Sequence, residues 1–102
     1  MAAMPSSPAA AFEALFATIL QRQETAPADS YTAALLSDSK GRDAILEKIG
    51  EESTEVILAA AADRPERTIA ESADLLYHLF VLLAAMDISL DELAAELDAR
   101  AD

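Results

Sequence analysis

The sequence predicts an all-α fold, a bundle of four to five helices, and three observations support this prediction. Only two of the 102 residues are glycine and 53% are hydrophobic. Alanine, leucine and glutamate dominate, and all three favour helices. Apolar residues recur at helical spacing in each long segment. No stretch shows the alternation of apolar and polar residues that is typical of a half-buried strand.

Each helix has a start signal or an apolar stripe of its own. Ser7 and Pro8 fit an N-cap followed by the first residue of a helix. Ser30 fits the N-cap of a short helix, and Ser89 with Glu92 forms a capping box before the last helix. The helices are therefore expected over about residues 8–23, 31–36, 42–61, 65–85 and 90–100.

The chain is short enough to form one domain, expected over residues 9–102 after a flexible N-terminal segment, residues 1–8. No run of ~18 apolar residues suggests a membrane span, and the N-terminus lacks the basic region of a signal peptide. A cytoplasmic protein is therefore expected. The absence of cysteine excludes disulfides and thiolate metal sites. A net charge of −12 argues against nucleic acid or an anionic membrane as the main partner.

The segment 65–85 predicts self-association. Leu75, Leu79, Leu82 and Met86 form one stripe of this helix, yet apolar residues also cover its other faces. A helix that is apolar nearly all round must be buried nearly all round. A chain of this size cannot enclose one of its own helices completely, so a homodimer or a higher homo-oligomer is expected.

Two pairs of acidic residues predict a metal site. Residues three apart share a helix face, so Glu52 with Glu55, and Glu71 with Asp74, each present two carboxylates in one direction. Four carboxylates on two packed helices repel one another unless a cation lies between them. Oxygen ligands favour Mg²⁺, with Mn²⁺ as the alternative. The competing interpretation is that the acids are solvated or pair with neighbouring lysine and arginine side chains.

The acidic motif also carries a family resemblance. Glu51, Glu52 and Glu55, followed after fifteen residues by Glu71 and Asp74, resemble the signature of the all-α nucleoside triphosphate pyrophosphohydrolases, the MazG-like superfamily. Within that superfamily, the Ser-Tyr-Thr sequence at 30–32 and the Asp-Leu-Leu-Tyr-His sequence at 74–78 resemble the phosphoribosyl-ATP pyrophosphohydrolases. The resemblance covers about residues 12–98.

This resemblance implies a reaction and roles for the acids. The reaction is Mg²⁺-dependent hydrolysis of phosphoribosyl-ATP to phosphoribosyl-AMP and pyrophosphate, the second step of histidine biosynthesis. Glu52, Glu55, Glu71 and Asp74 would hold Mg²⁺, and Glu51, Glu52 and Glu55 would serve catalysis. Glu51 is the candidate that orients or deprotonates the attacking water, although it could instead be the partner of Lys48.

Six further residues are candidates for substrate binding, and each also has a purely structural interpretation. Lysines and arginines could contact phosphate or form salt bridges, and the hydroxyl residues could contact substrate or cap the short helix. Arg64 would replace a lysine that relatives often carry in the loop before the helix at 65–85. His78 is expected to be a core histidine with both ring nitrogens satisfied. The six candidates are Lys48, Arg22, Ser30, Thr32, Lys40 and Arg64.

Two other functions are compatible with the same residues. One is a general MazG-like enzyme that hydrolyses ordinary nucleoside triphosphates with the same acids. The other is a non-catalytic helical dimerisation module. In some organisms the phosphoribosyl-ATP activity is fused to phosphoribosyl-AMP cyclohydrolase. Here the chain ends at Asp102, so a free-standing enzyme is expected, with the cyclohydrolase as a candidate partner.

Overall fold

A computed structural model describes residues 7–101, and these residues form five α-helices with no β-strand among them. The predicted all-α fold is confirmed. The first helix ends two residues later than expected and the last one residue earlier. The helices are α1 (Pro8–Thr25), α2 (Tyr31–Leu36), α3 (Arg42–Ala61), α4 (Pro65–Ala85) and α5 (Leu90–Ala99).

Helix starts follow the local sequence. Ser7, Ser30 and Ser89 cap α1, α2 and α5, each accepting a hydrogen bond from the backbone N–H three residues later. Helix α3 starts after Gly41, whose φ of +64° lies in the left-handed region that glycine adopts most readily. Residues 1–6 of the predicted flexible segment lie outside the described residues, whereas Ser7 and Pro8 belong to the start of α1.

Helices α3 and α4 form a long hairpin and share the most extensive contact between any two helices. Residues 62–64 connect them in a tight turn, in which Asp63 has a left-handed φ of 56°. The backbone N–H of Arg64 donates to the carbonyl of Ala59 at 3.0 Å, which closes the end of α3. The hairpin therefore holds facing side chains of α3 and α4 in a fixed relation.

The core forms where α1, α2 and α3 meet α4. Ile19, Ile45 and Val81 are fully buried, and the ring of Phe16 meets Phe80 edge-on at 5.6 Å. Burial of an aliphatic side chain of this size contributes about 1.5–3 kcal/mol. These contacts fix α1 and the hairpin to each other.

The buried face of α4 differs from the predicted stripe. His78, Phe80, Val81 and Ala84 are buried, whereas Leu79 and Met86 are 38% and 42% exposed. Apolar residues surround α4, so spacing alone could not indicate which face the other helices cover. The remaining apolar faces stay partly open, in keeping with the expectation that one chain cannot enclose this helix.

Helix α5 packs little against the rest of the chain. All of its residues after Leu90 are exposed, including Leu93 and Leu97 on its apolar side. Between α5, α1 and α4 lies an apolar cavity of about 600 Å³. We call this cavity the α1–α5 groove, and its apolar lining includes Phe12, Phe16, Leu20, Leu76, Phe80, Leu90, Leu93 and Leu97.

Helix α4 is long and apolar enough to cross a membrane, judged by length and composition alone. Among the described residues it is the one helix with this property, and the sequence-based expectation had included none. The core helix of a soluble protein meets the same criterion. In the present fold α4 packs against α1, α2 and α3.

Candidate metal and substrate site

The α3–α4 hairpin brings together three of the four predicted metal ligands. Glu52 on α3 faces Glu71 and Asp74 on α4, and one carboxylate oxygen from each lies within 4.8 Å of the other two. Glu71 and Asp74 are three residues apart and therefore share one face of α4. We call these three residues the carboxylate triad.

The triad concentrates negative charge in a partly desolvated position. Glu52 and Glu71 are half-buried, and Asp74 is exposed. Burial raises the pKa of the Glu52 carboxyl above its ordinary value, and hydrogen bonding to Glu71 raises it further. The negative charges of Asp74 and Glu71 act in the same direction, whereas Lys48 opposes them. A neighbouring positive charge would therefore favour the ionised form of Glu52.

The geometry of the triad suits a hard cation. Mg²⁺ binds oxygen ligands at about 2.0–2.1 Å in an octahedron, so adjacent ligands lie about 3 Å apart and opposite ligands about 4.2 Å apart. The oxygens of the triad, which lie within 4.8 Å of one another, reach these distances after side-chain shifts of about an ångström. Three carboxylates leave the other coordination positions for water or phosphate oxygens, as Mg²⁺ sites commonly do.

Glu55, the fourth predicted ligand, does not belong to the triad in this structure. It is exposed and lines a small cavity of about 150 Å³ with Arg64 and Arg67. The three-residue spacing that brings Glu71 and Asp74 together on α4 does not bring Glu55 to the triad, because Glu55 lies on the side of α3 towards Arg64 and Arg67. Its roles as metal ligand and catalytic residue stay predictions.

Arg67 is a neighbour of the triad that the sequence analysis missed. Its Nη2 atom lies 3.8 Å from Oε1 of Glu71, one turn further along α4. The spacing of four residues between an arginine and a glutamate could have revealed this pair. Arg64 and Arg67 together place two cationic side chains next to the connecting turn of the hairpin.

Glu51 and Lys48 form an ion pair beside the triad. The Nζ atom of Lys48 lies 3.4 Å from Oε2 of Glu51; the Glu51 side chain is largely exposed and that of Lys48 is partly exposed. The hydrogen bond to Glu51 raises the pKa of the Lys48 ammonium, so Lys48 stays positively charged. This pair is the structural interpretation that the sequence left open for both residues.

Helix α2 is attached to α4 by two adjacent polar contacts. The hydroxyl of Thr32 is hydrogen-bonded to that of Tyr77, and the hydroxyl of Tyr31 lies 3.2 Å from Nε2 of His78. Thr32 is buried, and Ser30 is engaged as the cap of α2. The hydroxyls of Ser30 and Thr32 therefore hold α2 in position, and their predicted contacts with substrate stay predictions.

His78 has a defined hydrogen-bonding pattern. It is buried, and its Nδ1 lies 2.9 Å from the backbone carbonyl of Asp74. A carbonyl only accepts, so Nδ1 carries a proton; in the neutral ring Nε2 then accepts from the hydroxyl of Tyr31. His78 is thus a core histidine with both nitrogens satisfied, as expected, and it links α2 to the helix turn that bears Asp74.

Two of the predicted basic residues have other partners. Lys40 is 3.2 Å from both carboxylate oxygens of Glu47, and Arg22 donates to the side-chain carbonyl of Gln21 at 2.9 Å. Exposed pairs of this kind rearrange at little cost, so both side chains can turn away from these partners.

A cavity of about 290 Å³ with several charged residues in its lining lies between α2 and α3. We call it the α2–α3 pocket. Its position next to Lys48 and Glu51 brings it within about one helical turn of Glu52 on α3. It is lined by Tyr31, Ala34, Leu35, Asp38, Lys40, Ala44, Glu47, Lys48 and Glu51.

Comparisons with known proteins point to one family. The family profile described as phosphoribosyl-ATP pyrophosphohydrolase matches residues 12–101. A phosphoribosyl-ATP pyrophosphatase of Haloquadratum walsbyi is 54% identical over 93 residues, which cover 91% of this chain and 93% of the relative. The enzyme of that name from Methanosarcina barkeri is 44% identical over 97 residues, covering 95% and 93%. That from Roseobacter denitrificans is 49% identical over 88 residues, covering 86% and 82%.

Proposed function

The chain belongs to the phosphoribosyl-ATP pyrophosphohydrolase family, and on that premise we propose how it performs its reaction. It hydrolyses phosphoribosyl-ATP to phosphoribosyl-AMP and pyrophosphate, a step of histidine biosynthesis. The observation that carries the proposal is the convergence of Glu52, Glu71 and Asp74 within 4.8 Å of one another. These three carboxylates hold the divalent cation, with Mg²⁺ as the expected ion and Mn²⁺ as the alternative.

Each residue of the site has a physical task. When bound by the triad, Mg²⁺ offsets the negative charge that develops on the phosphate oxygens. Water attacks the α-phosphorus, and the bond from that phosphorus to the bridging oxygen breaks to release pyrophosphate. Glu51 takes the proton of the attacking water, and Lys48 holds Glu51 in place. Glu55 completes the ligand set if its side chain turns towards Glu52.

Two arginines next to the turn of the hairpin are suited to bind the leaving group, pyrophosphate. Arg64 and Arg67 line one small cavity with Glu55, and Arg67 lies 3.8 Å from Glu71. Guanidinium groups bind phosphate in a bidentate manner, so we assign them to the departing pyrophosphate. Lys40 and Arg22 are secondary candidates for contact with the substrate, since each can leave its surface partner.

We also propose that the protein, as one domain over residues 9–102, works in the cytoplasm as a homodimer or higher homo-oligomer. The α1–α5 groove supports this proposal, because it leaves Phe12, Leu20 and Leu97 between 43% and 64% exposed. A second copy of the chain would cover these side chains and give α5 a packing partner. Phosphoribosyl-AMP cyclohydrolase, which uses the product, is a further candidate partner; nucleic acid and membrane are not.

The test is pyrophosphate release from phosphoribosyl-ATP, with ATP and deoxynucleoside triphosphates as competing substrates. Release is expected with Mg²⁺ and not with EDTA, and only from phosphoribosyl-ATP. Glu52→Gln keeps the shape of the side chain but removes its charge, so the rate should fall at least about 100-fold. Glu24→Gln, an exposed glutamate on α1, is the matched control and should leave the rate unchanged. Full activity in EDTA would contradict the metal assignment.

A further inference from the structure

The α2–α3 pocket is unsuited to phosphate although it lies within about one helical turn of Glu52. Carboxylates outnumber ammonium groups in its lining, and both lysines are already paired with glutamates. A surplus of negative charge repels phosphate, so the phosphates of the substrate must lie at the cation-binding triad instead. The charged residues in the lining are Asp38, Lys40, Glu47, Lys48 and Glu51.

One wall of the pocket is an aromatic ring with a fixed orientation. Tyr31 is 52% exposed although its hydroxyl donates to His78. Its ring also lies beside the ring of Tyr77, with centroids 6.2 Å apart and an angle of 33° between the planes. An aromatic ring that is held at its edge yet open over half of its surface is a stacking platform for a flat ligand.

The substrate has a flat part that matches such a wall. Phosphoribosyl-ATP carries its second ribose on N1 of the adenine ring. Alkylation at N1 makes the ring a delocalised cation at neutral pH, whereas the adenine of ATP is neutral. A flat cation is attracted both to an aromatic face and to surrounding carboxylates.

We propose that the α2–α3 pocket binds the N1-ribosylated adenine cation against Tyr31 and thereby selects phosphoribosyl-ATP over ATP. This inference rests on the proposed function and adds the element that recognises the base. A volume of about 290 Å³ suits one purine ring system and leaves the ribose and phosphate groups outside. The triphosphate then extends along α3 from Lys48 to Glu52, one turn away.

The binding test uses ligands that cannot be cleaved. The α,β-methylene analogues of ATP and of 1-methyl-ATP share every phosphate contact and differ in the charge of the base. Titration calorimetry with Mg²⁺ at pH 7 should give a dissociation constant about tenfold lower for the methylated analogue. Equal dissociation constants in the wild-type protein would overturn the inference.

Substitutions in the pocket test whether the preference for the methylated analogue arises there. Tyr31→Leu should abolish it and raise KM for phosphoribosyl-ATP about tenfold, with kcat changed less than about threefold. Tyr31→Phe keeps the ring and should keep the preference. Glu47→Gln removes one lining carboxylate and should reduce the preference, whereas Glu24→Gln on α1 should not.

The outcomes separate this inference from the proposed function. Equal weakening of both analogues by Tyr31→Leu, with a lower melting temperature, would make Tyr31 a structural residue only and overturn the inference. Absence of phosphoribosyl-ATP turnover by the wild-type protein would instead overturn the proposed function. The binding preference is measured without turnover, so the two failures are distinguishable.

Discussion

The α3–α4 hairpin is closely packed within this chain, whereas the α1–α5 groove is left largely unfilled. In the hairpin, two long helices contact each other closely and hold three carboxylates within 4.8 Å. At the groove, Leu93 and Leu97 of α5 face a largely unfilled cavity of about 600 Å³. The polar geometry for catalysis is therefore assembled within one chain, while the apolar packing is not.

The largest effect is expected from a substitution in the hairpin. Asp74→Asn leaves the packing of α4 intact but removes one charge from the triad. Pyrophosphate release should fall at least about 100-fold. The rise in melting temperature on adding Mg²⁺ should also disappear, because a ligand stabilises the native state only if it binds there. Calorimetric melts with Mg²⁺ and with EDTA test this, and an unchanged Mg²⁺ effect would exclude Asp74 as a ligand.

The next largest effect is expected on self-association, from a substitution in the α1–α5 groove. Leu97→Asp places a charge on the apolar side of α5, in a protein that already carries a net charge of −12. Self-association should weaken at least about tenfold, measured by sedimentation velocity. Ile57→Asp, at a 66% exposed position of α3 outside the groove, is the matched control. Dissociation by Ile57→Asp alone would move the interface away from the groove.

A smaller effect links the triad to stability. The raised pKa of Glu52 means that the folded, metal-free protein binds this proton more tightly than the unfolded chain does. The contribution of Glu52 to stability is therefore greatest below the ordinary glutamate pKa and is lost as pH rises through the raised value. Glu52→Gln should melt a few degrees higher than wild type at pH 7 in EDTA, and the difference should shrink towards pH 4. Saturating Mg²⁺ should reverse the order, and an unchanged order would contradict this account.

The smallest effect is local to α5. Ser89 accepts from the N–H of Glu92 at 3.1 Å, and the Glu92 carboxylate accepts from the N–H of Ser89 at 3.0 Å. Ser89→Ala should cost about 1 kcal/mol. Hydrogen exchange should rise in α5 but not in the hairpin, because the two regions share few contacts. Equal changes in both regions would show that α5 is coupled to the site.

Local signals in the sequence were sufficient for the approximate helix boundaries and for the grouping of all three triad residues. Serine caps act within a few residues, and Glu52, Glu71 and Asp74 lie on helices joined by a short turn. Glu55 was placed with Glu52 because residues three apart share a face, yet of the two pairs with this spacing only Glu71 and Asp74 both reach the triad, and Glu55 lies beside Arg64. Which residues of one helix face reach the neighbouring helix depends on how α3 and α4 pack.

Other features depend on contacts between distant residues. The pairs Tyr31–His78 and Thr32–Tyr77 join positions 47 and 45 residues apart, and nothing in either segment alone predicts them. The buried face of α4 was also not predictable, because its leucines cover several faces and the position of α1 decides which side is enclosed. Tyr31 was overlooked for the same reason: its value as a pocket wall appears only once α2 lies against α4.

The short connection at residues 62–64 has a consequence for how the site tolerates change in length. Glu52 and Asp74 each lie eleven positions from Asp63, which sits at the centre of the turn. Each residue added to a helix rotates the following side chains by about 100°. An insertion or deletion that slips the register of the hairpin would therefore separate the carboxylates while leaving both helices intact. The metal site therefore depends on the length of the connecting turn as well as on the acidic residues.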